Sequence, residues 1–324
     1  MPSIFTTISE YQYRLDARDA AAISRLLDLW QQYEVDLVRD LEALILFLED
    51  NGGRVSQETL LRLTRYQALL AQLSEFYDTL SVEGLAEMRR SMLDSARLGE
   101  AMAQAVLAGI TGDTVRPFAR VPVEALTQLT ALAQPGGPLA KILEDAYPMA
   151  ANALTRQLVS NIGRGRNPRA ILKFARENGL VAGLDHILLV SRDQSVRAFR
   201  QASQASYAND PDVTGYMRMA ARQTRTCPMC IALDGTTYPT DQLMEVHPQD
   251  RCVMVPVVRG FPAPVWKSAR DWFAEQSAAT QQKMLGPERF KLYRNGTPLT
   301  DFVQKGTHET WGPSLKLRPL NRMN

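Results

Sequence analysis

The chain has 324 residues, 45% of them hydrophobic, with a mean hydropathy of -0.22 and a formal net charge of +2. That is enough apolar material for a sizeable core and a length suited to two or three domains. It contains no uninterrupted apolar run of about 18 residues, so no membrane span is expected, and the candidate at 41–48 is broken by Glu42. The N-terminus lacks a basic segment followed by an apolar one, which argues against a secretory signal and for maturation in a reducing cytoplasm. The small net charge conceals an asymmetry. Residues 1–100 carry 17 acidic and 10 basic side chains, while the remainder is basic by nine.

The first hundred residues predict long helices. Ile23, Leu27, Trp30, Leu37, Leu41, Leu44 and Leu48 recur at three- and four-residue steps. Asn51-Gly52-Gly53 then supplies a stop. Ser56 is a suitable N-cap for a second helix, with Glu58 in its first turn, and Leu63, Tyr66, Leu70, Leu73, Tyr77 and Leu80 repeat the same spacing. Two such helices pack as an antiparallel hairpin. A third helical stretch is expected over 82–107, and then a proline- and glycine-rich linker enclosing one short helix. Pro138 opens a further helix with Leu139, Ile142, Leu143, Ala146, Leu154 and Leu158 on its apolar side. The middle of the chain, 158–221, reads as helical and basic. Arg164, Arg166, Arg169, Lys173 and Arg176, with Arg156 nearby, form its densest cationic cluster. On one face they would neutralise several phosphates without reading sequence; a solvated face or a contact with an acidic protein surface explains them equally well.

Beyond 221 the character changes. Short β-prone runs (236–238 and 252–258) alternate with proline and glycine, a last helical stretch spans 268–285, and an irregular basic tail closes the chain. Asp234-Gly235 fits the turn of a β-hairpin. The fold class expected is therefore mainly α with a small α+β C-terminal module: a long N-terminal helical hairpin, a basic helical middle and a loop-rich β-hairpin element bearing cysteine and histidine. Trp266, Trp272 and Phe273 read as core anchors of that module.

All three cysteines fall in one short stretch. Cys227 and Cys230 form a CxxC pair, and His247 and Cys252 follow at a distance that suits a second knuckle. Three sulfurs and a nitrogen make a tetrahedral zinc site, which would staple a loop-rich region. Asp250 is a substitute ligand. Three other readings stay open: buried inert thiols, a redox pair, and a Cys252–His247 nucleophile.

The run Cys227-Pro-Met-Cys230-Ile-Ala-Leu233-Asp234-Gly235-Thr-Thr-Tyr238, followed by His247-Pro-Gln-Asp-Arg-Cys252, resembles the minor head proteins related to phage Mu F. Members show a C-x-x-C-x-x-L-D-G-x-x-Y element and then an H-P-x-C-R-C element. Here Asp250 stands in place of the first cysteine of the second element. Gly165-Arg-Asn-Pro-Arg169 and Val190–Phe199 upstream, and Asp271-Trp-Phe and Leu292-Tyr-Arg-Asn-Gly296 downstream, extend the likeness. It divides the chain into a helical region (1–112), a linker (113–150), a head-protein module (151–305) and a tail (306–324). The resemblance implies a portal-associated component of the capsid interior, acting in head morphogenesis and in DNA packaging or ejection. Its partners would be the portal protein, packaged double-stranded DNA and scaffold or major capsid protein, with no membrane. It also implies a virion location after assembly in the host cytoplasm, and no enzymatic activity. A zinc-stabilised DNA-binding protein and a thiol enzyme are the competing function classes.

Overall fold

The computed structural model describes residues 3–52, 55–113, 121, 131–134, 136–164, 166–308 and 312–323. It is mainly helical, with a small α+β module towards the C-terminus. Among the described residues no helix is long and apolar enough to cross a membrane. The chain divides into two compact units built from interleaved segments. Unit 1 gathers 1–17, 92–129 and 195–324, and unit 2 gathers 18–91 and 130–194.

Unit 2 rests on two long helices, α1 (Ile4–Asp50) and α3 (Thr64–Thr111), separated by the short α2 (Gln57–Arg62). Ser56 caps α2 by accepting from the Thr59 amide. The antiparallel pairing is fixed by contacts that rise along one helix and fall along the other: Arg25 with Glu87, Tyr33 with Thr79, Asp40 with Gln72. Trp30 packs edge-on to Phe76 at 5.1 Å. Trp30, Leu37, Leu41, Leu44 and Leu48 are buried as their spacing predicts, whereas Ala22 and Leu26 take the buried places expected of Ile23 and Leu27. The helical stretch expected to start at 82 is no separate element: α3 runs unbroken to Thr111. Ser81 and Gly84 lower helix propensity without ending a helix that tertiary packing holds.

Pro138 opens α4 (Pro138–Gly163) as its first residue. Leu139, Leu143, Ala146, Leu154 and Leu158 are buried, and Ile142 is half-buried. Asn167 caps α5 (Pro168–Ala175), which passes into a π turn (Arg176–Leu180) before α6 (Ala182–Ala208). The Tyr77 hydroxyl holds this junction: it donates to the Leu180 carbonyl at 3.3 Å and accepts from the Leu184 amide at 3.1 Å. The short helix expected in the 113–150 linker falls largely on 114–120 and 122–130, outside the described residues.

Unit 1 is organised on a three-stranded antiparallel sheet ordered β2-β1-β3, with β1 Val213–Met219, β2 Thr237–Tyr238 and β3 Val253–Val258. β3 alternates faces. Val253 and Val255 pack with Ile8, Leu98, Met102 and Phe199, and Met254 and Val258 enter a second core with Tyr207, Tyr216 and Phe273. A strand covered on both faces has no polar side to show, which accounts for its unbroken apolar sequence. Pro256 is tolerated because β3 is an edge strand. Gly99 of α3 lies so close to α6 that a Cβ there would overlap the Phe199 carbonyl.

Three expectations for this region are corrected. β1 lies inside 158–221, which had read as wholly helical; its burial on both faces hides the two-residue period. The stretch 268–285 is two helices, α8 (Ala269–Ala274) and α9 (Ala278–Leu285), followed by α10 (Pro287–Arg294). The tail is not irregular. β4 (Val303–His308) and β5 (Gly312–Leu317) form a hairpin whose exposed, polar residues carry little apolar signal. Phe273 is fully buried, while Trp272 is partly buried against the second core. Trp266 meets Phe5 edge-on at 6.2 Å.

Candidate metal centre

The CxxC pair lies at the start of a short helix, α7 (Pro228–Leu233). This corrects the expected hairpin. Asp234-Gly235 does turn the chain, with Gly235 at φ 79, but it joins α7 to β2, and β2 pairs with β1. Cys227 is the N-cap of α7, and its Sγ accepts from the Cys230 amide at 3.3 Å. Pro228 follows at the first helical position, where a missing N–H costs nothing. The helix turns the Cys230 side chain to the same side as its cap.

His247 comes from a separate segment fixed by the C-terminal hairpin. Val246 bridges to β5: its carbonyl accepts from Leu315 at 2.8 Å. The chain then reverses through His247-Pro248-Gln249-Asp250, closed by the Asp250 amide donating to the His247 carbonyl at 3.0 Å. Gln249 has φ 64, which together with proline before it marks a type II turn. The turn also sets the imidazole. Nδ1 lies 2.7 Å from the Pro248 carbonyl. A carbonyl can only accept, so Nδ1 is the donor here, and in the neutral imidazole this leaves Nε2 with its lone pair. That lone pair faces both sulfurs, at 3.0 Å from Cys227 and 3.2 Å from Cys230.

Two overlapping groups of ligand atoms result. Cys227, Cys230 and His247 lie within 4.8 Å of one another, and so do Cys230, Asp250 and Cys252. Cys230 is the shared member. Cys230 and Cys252 are buried; Cys227 and His247 are partly exposed, leaving the site open on one side. Among the described residues Cys227, Cys230 and His247 are brought together as a trio of donors able to bind a metal ion, whereas Cys252, expected as the fourth ligand, comes within the same distance of Cys230 and Asp250 and not of Cys227 or His247. In the protein alone the hydrogen bond with Cys227, and then burial, push the Cys230 thiol well up, and burial does the same to Cys252. An ion bound here would therefore displace thiol protons.

Asp250, expected as a substitute ligand, is committed elsewhere. It is 2% exposed and accepts from Arg200 at 3.0 Å, from Arg218 at 2.6 Å and from the Cys252 amide at 2.7 Å. Burial alone would raise its carboxyl, but the charges of Arg200 and Arg218 together hold it well below the usual carboxylate range. It is a counter-ion to two buried arginines.

Sequence reasoning passed over those arginines. Arg218, the next-to-last residue of β1, is fully buried and donates to the Glu245 carbonyl at 2.7 Å and to Cys230 Sγ at 3.4 Å. Burial lowers its pKa, and the neighbouring Cys252, Asp250 and Cys230 more than offset this, so it stays charged. Arg200, on α6, donates to the carbonyls of Cys252 at 2.8 Å and Asp250 at 2.7 Å. The available signal was a charge in an otherwise apolar strand, Tyr216-Met-Arg-Met219, where an arginine persists only if paired.

The remaining motif positions are used by the fold. Asp234, 1% exposed, accepts from the Ala220 amide at 2.7 Å, the Ala269 amide at 2.7 Å and Trp266 Nε1 at 3.0 Å. It thereby ties β1, α7 and α8 together. Tyr238 stacks on Tyr216 at 5.4 Å and donates to Glu245 at 2.9 Å.

The basic cluster belongs to unit 2. Arg156, Arg164, Arg166, Arg169, Lys173 and Arg176 are all exposed. Arg176 pairs with Glu34 at 2.5 Å, and Arg166 lies over the Phe174 ring at 4.9 Å. The other four make no ion pair among the described residues. Comparison of the chain with protein-family models, with curated proteins and with solved structures finds no match to any of them.

Proposed function

We propose that the chain is a minor head protein of a tailed bacteriophage or prophage, akin to those related to phage Mu F, and that Cys227, Cys230, His247 and Cys252 hold a structural zinc ion. The supporting observation is the convergence of the two motif elements. The lone pair of His247 Nε2 faces both sulfurs of a CxxC pair that lies at least 17 residues away in the chain. Zinc is the ion that thiolate and imidazole donors in this ratio favour. The reading as a structural component, not an enzyme, draws on the motif residues themselves. Asp234 and Tyr238 are consumed in holding segments together, and Asp250 is consumed in neutralising arginines.

In this reading the module works through its surfaces, portal-associated within the capsid. The exposed cations Arg156, Arg164, Arg169 and Lys173 offer a face to packaged double-stranded DNA or to an acidic portal surface. The test is proteomics of purified particles together with elemental analysis of the recombinant chain. The chain is expected in mature heads at low copy number, with one zinc per chain. Absence from particles overturns the head-protein assignment, and zinc near zero overturns the metal.

A further inference from the structure

Val265 is the most exposed large apolar side chain among the described residues, at 86%, and Phe261 in the same loop is 41% exposed. The loop that carries them is held at both ends. At its start the Arg259 amide donates to the Asp212 carbonyl at 2.7 Å, and the Phe261 amide to the Val258 carbonyl at 3.2 Å. At its end Trp266 Nε1 donates to Asp234 at 3.0 Å. Between these anchors Pro262 and Pro264 fix their own φ and keep the residues before them, Phe261 and Ala263, extended. A loop so constrained loses little conformational freedom when another surface covers it. Its setting is cationic. Residues 259–270 carry three basic side chains and no acid, and Arg222 reaches the Lys267 carbonyl at 3.0 Å. Lys267 pairs with Glu275, whereas Arg222 and Arg259 meet no acid among the described residues. The surface that fits this loop is therefore apolar at its centre and negative at its rim.

The chain itself carries such a surface. On α1, Val35 is 74% and Leu46 50% exposed. Val35, Glu42, Leu46 and Asp50 are spaced by seven, four and four residues, which sets them along one stripe of the helix. Residues 36–50 hold five acids and one arginine, and that arginine, Arg39, already pairs with Asp36 and Asp40. Glu42, Glu49 and Asp50 make no ion pair among the described residues. Val35 and Leu46 lie about 16 Å apart at 1.5 Å per residue, close to the reach of about 13 Å of the extended segment 261–265. We infer that the loop 259–266 of one copy docks on the α1 stripe of a second copy, its apolar tip against Val35 and Leu46 and its cations against the unpaired acids. The loop belongs to unit 1 and the stripe to unit 2, so the contact joins two different surfaces. Such a contact is heterologous, and each copy in a pair keeps one surface free to bind again. Opposite charges on the two surfaces favour loop on stripe and penalise loop on loop. The inference depends neither on the metal nor on the head-protein reading.

The experiment is sedimentation velocity of the full chain over a concentration series reaching about 100 μM, which covers micromolar association, at low and at high salt. Wild type should form species larger than a monomer as concentration rises and revert towards monomer at high salt, where exposed charges are screened. Two variants each remove one surface: Arg259→Glu/Val265→Asp alters the loop, and Glu42→Lys/Leu46→Lys alters the stripe. All four positions are exposed, so both variants should keep the circular dichroism of wild type. Each alone should be monomeric throughout. Mixed in equal amounts they should form dimers and nothing larger, because the first keeps its stripe, the second keeps its loop, and one contact remains possible. Wild type that stays monomeric overturns the inference and leaves the loop to a partner of another kind. Association that survives in either variant, or a mixture that stays monomeric, overturns it as well. Should one variant fail to fold, the other alone decides, since it must be monomeric where wild type associates.

Discussion

Replacing Asp250 by asparagine keeps the shape of the side chain and removes its charge. Three donors converge on this carboxylate, from Arg200, Arg218 and the Cys252 amide, all within 3.0 Å. An asparagine oxygen can still serve one side, but its NH2 then meets a donor on the other. Two guanidinium groups are left buried and facing each other. Removing one partner of a buried pair costs about 3–5 kcal/mol. A domain of total stability about 5–15 kcal/mol loses a large fraction of it. At about 2–4 °C per kcal/mol for 150–250 residues, the midpoint of unit 1 should fall by about 6–20 °C. The assay is thermal unfolding of the zinc-saturated protein followed by near-ultraviolet circular dichroism. Glu288→Gln, which breaks the exposed Lys291–Glu288 pair, serves as control and should stay within about 0.5 kcal/mol of wild type. A loss under about 1 kcal/mol for Asp250→Asn would refute Asp250 as the buried counter-ion of Arg200 and Arg218.

The same carboxyl sets an acid limit. Its folded pKa is depressed, so its contribution is fully present above the unfolded value of about 3.9 and is lost as pH falls below it. In chelator, urea midpoints of wild type should therefore drop below about pH 4, with Asp250→Asn showing a shallower decline there. His247→Ala should abolish stoichiometric zinc in elemental analysis, and chelation should then leave the unfolding midpoint of that variant unchanged while lowering that of wild type. Tyr77→Phe strands the Leu184 amide and should cost unit 2 about 1–3 kcal/mol in urea unfolding; an unchanged midpoint would contradict the bond. Converting Arg164, Arg166, Arg169 and Lys173 to glutamine together should reduce duplex binding and flatten its logarithmic salt slope by about three to four, at roughly 0.9 per phosphate. An unchanged slope assigns that face to something other than DNA.

Much of the fold was legible because it depends on local period. Trp30, Leu37 and Leu41 face inward where three- and four-residue steps put them, and Pro138 and Ser56 start helices where their backbone chemistry suits it. The break expected near residue 81 was absent because helix length is decided by what a helix packs on, and Leu80, Leu85 and Met88 are all buried. β1 was unreadable for the opposite reason: Tyr216 and Met219 fill different cores, so no face alternates. The clustering of Cys227, Cys230 and His247 was legible because cysteines and histidines are rare enough to stand out. Their supporting charges were not, since Arg200 lies 50 residues from Asp250 and each residue alone looks ordinary.

Placed in its fold, the motif reads as a set of joints. Cys227 caps a helix, Asp234 binds three segments, Gly235 takes the turn that L-residues resist, and His247-Pro248 builds the reversal that presents a nitrogen to two sulfurs. These demands are geometric, and each would be met equally whatever the rest of the chain does. The bonds made by His247 hold the segment between β2 and β3, where regular structure is sparse. They do not themselves discriminate among partners. Partner choice has to come from surface that the fold leaves unspent, and the exposed arginines and lysine of unit 2 are such surface, carrying charge that no ion pair among the described residues absorbs at Arg156, Arg164, Arg169 and Lys173. A variant that cannot hold the proposed ion should thus lose stability in unit 1, whereas a variant that loses those cations should fold normally and fail only in what it binds.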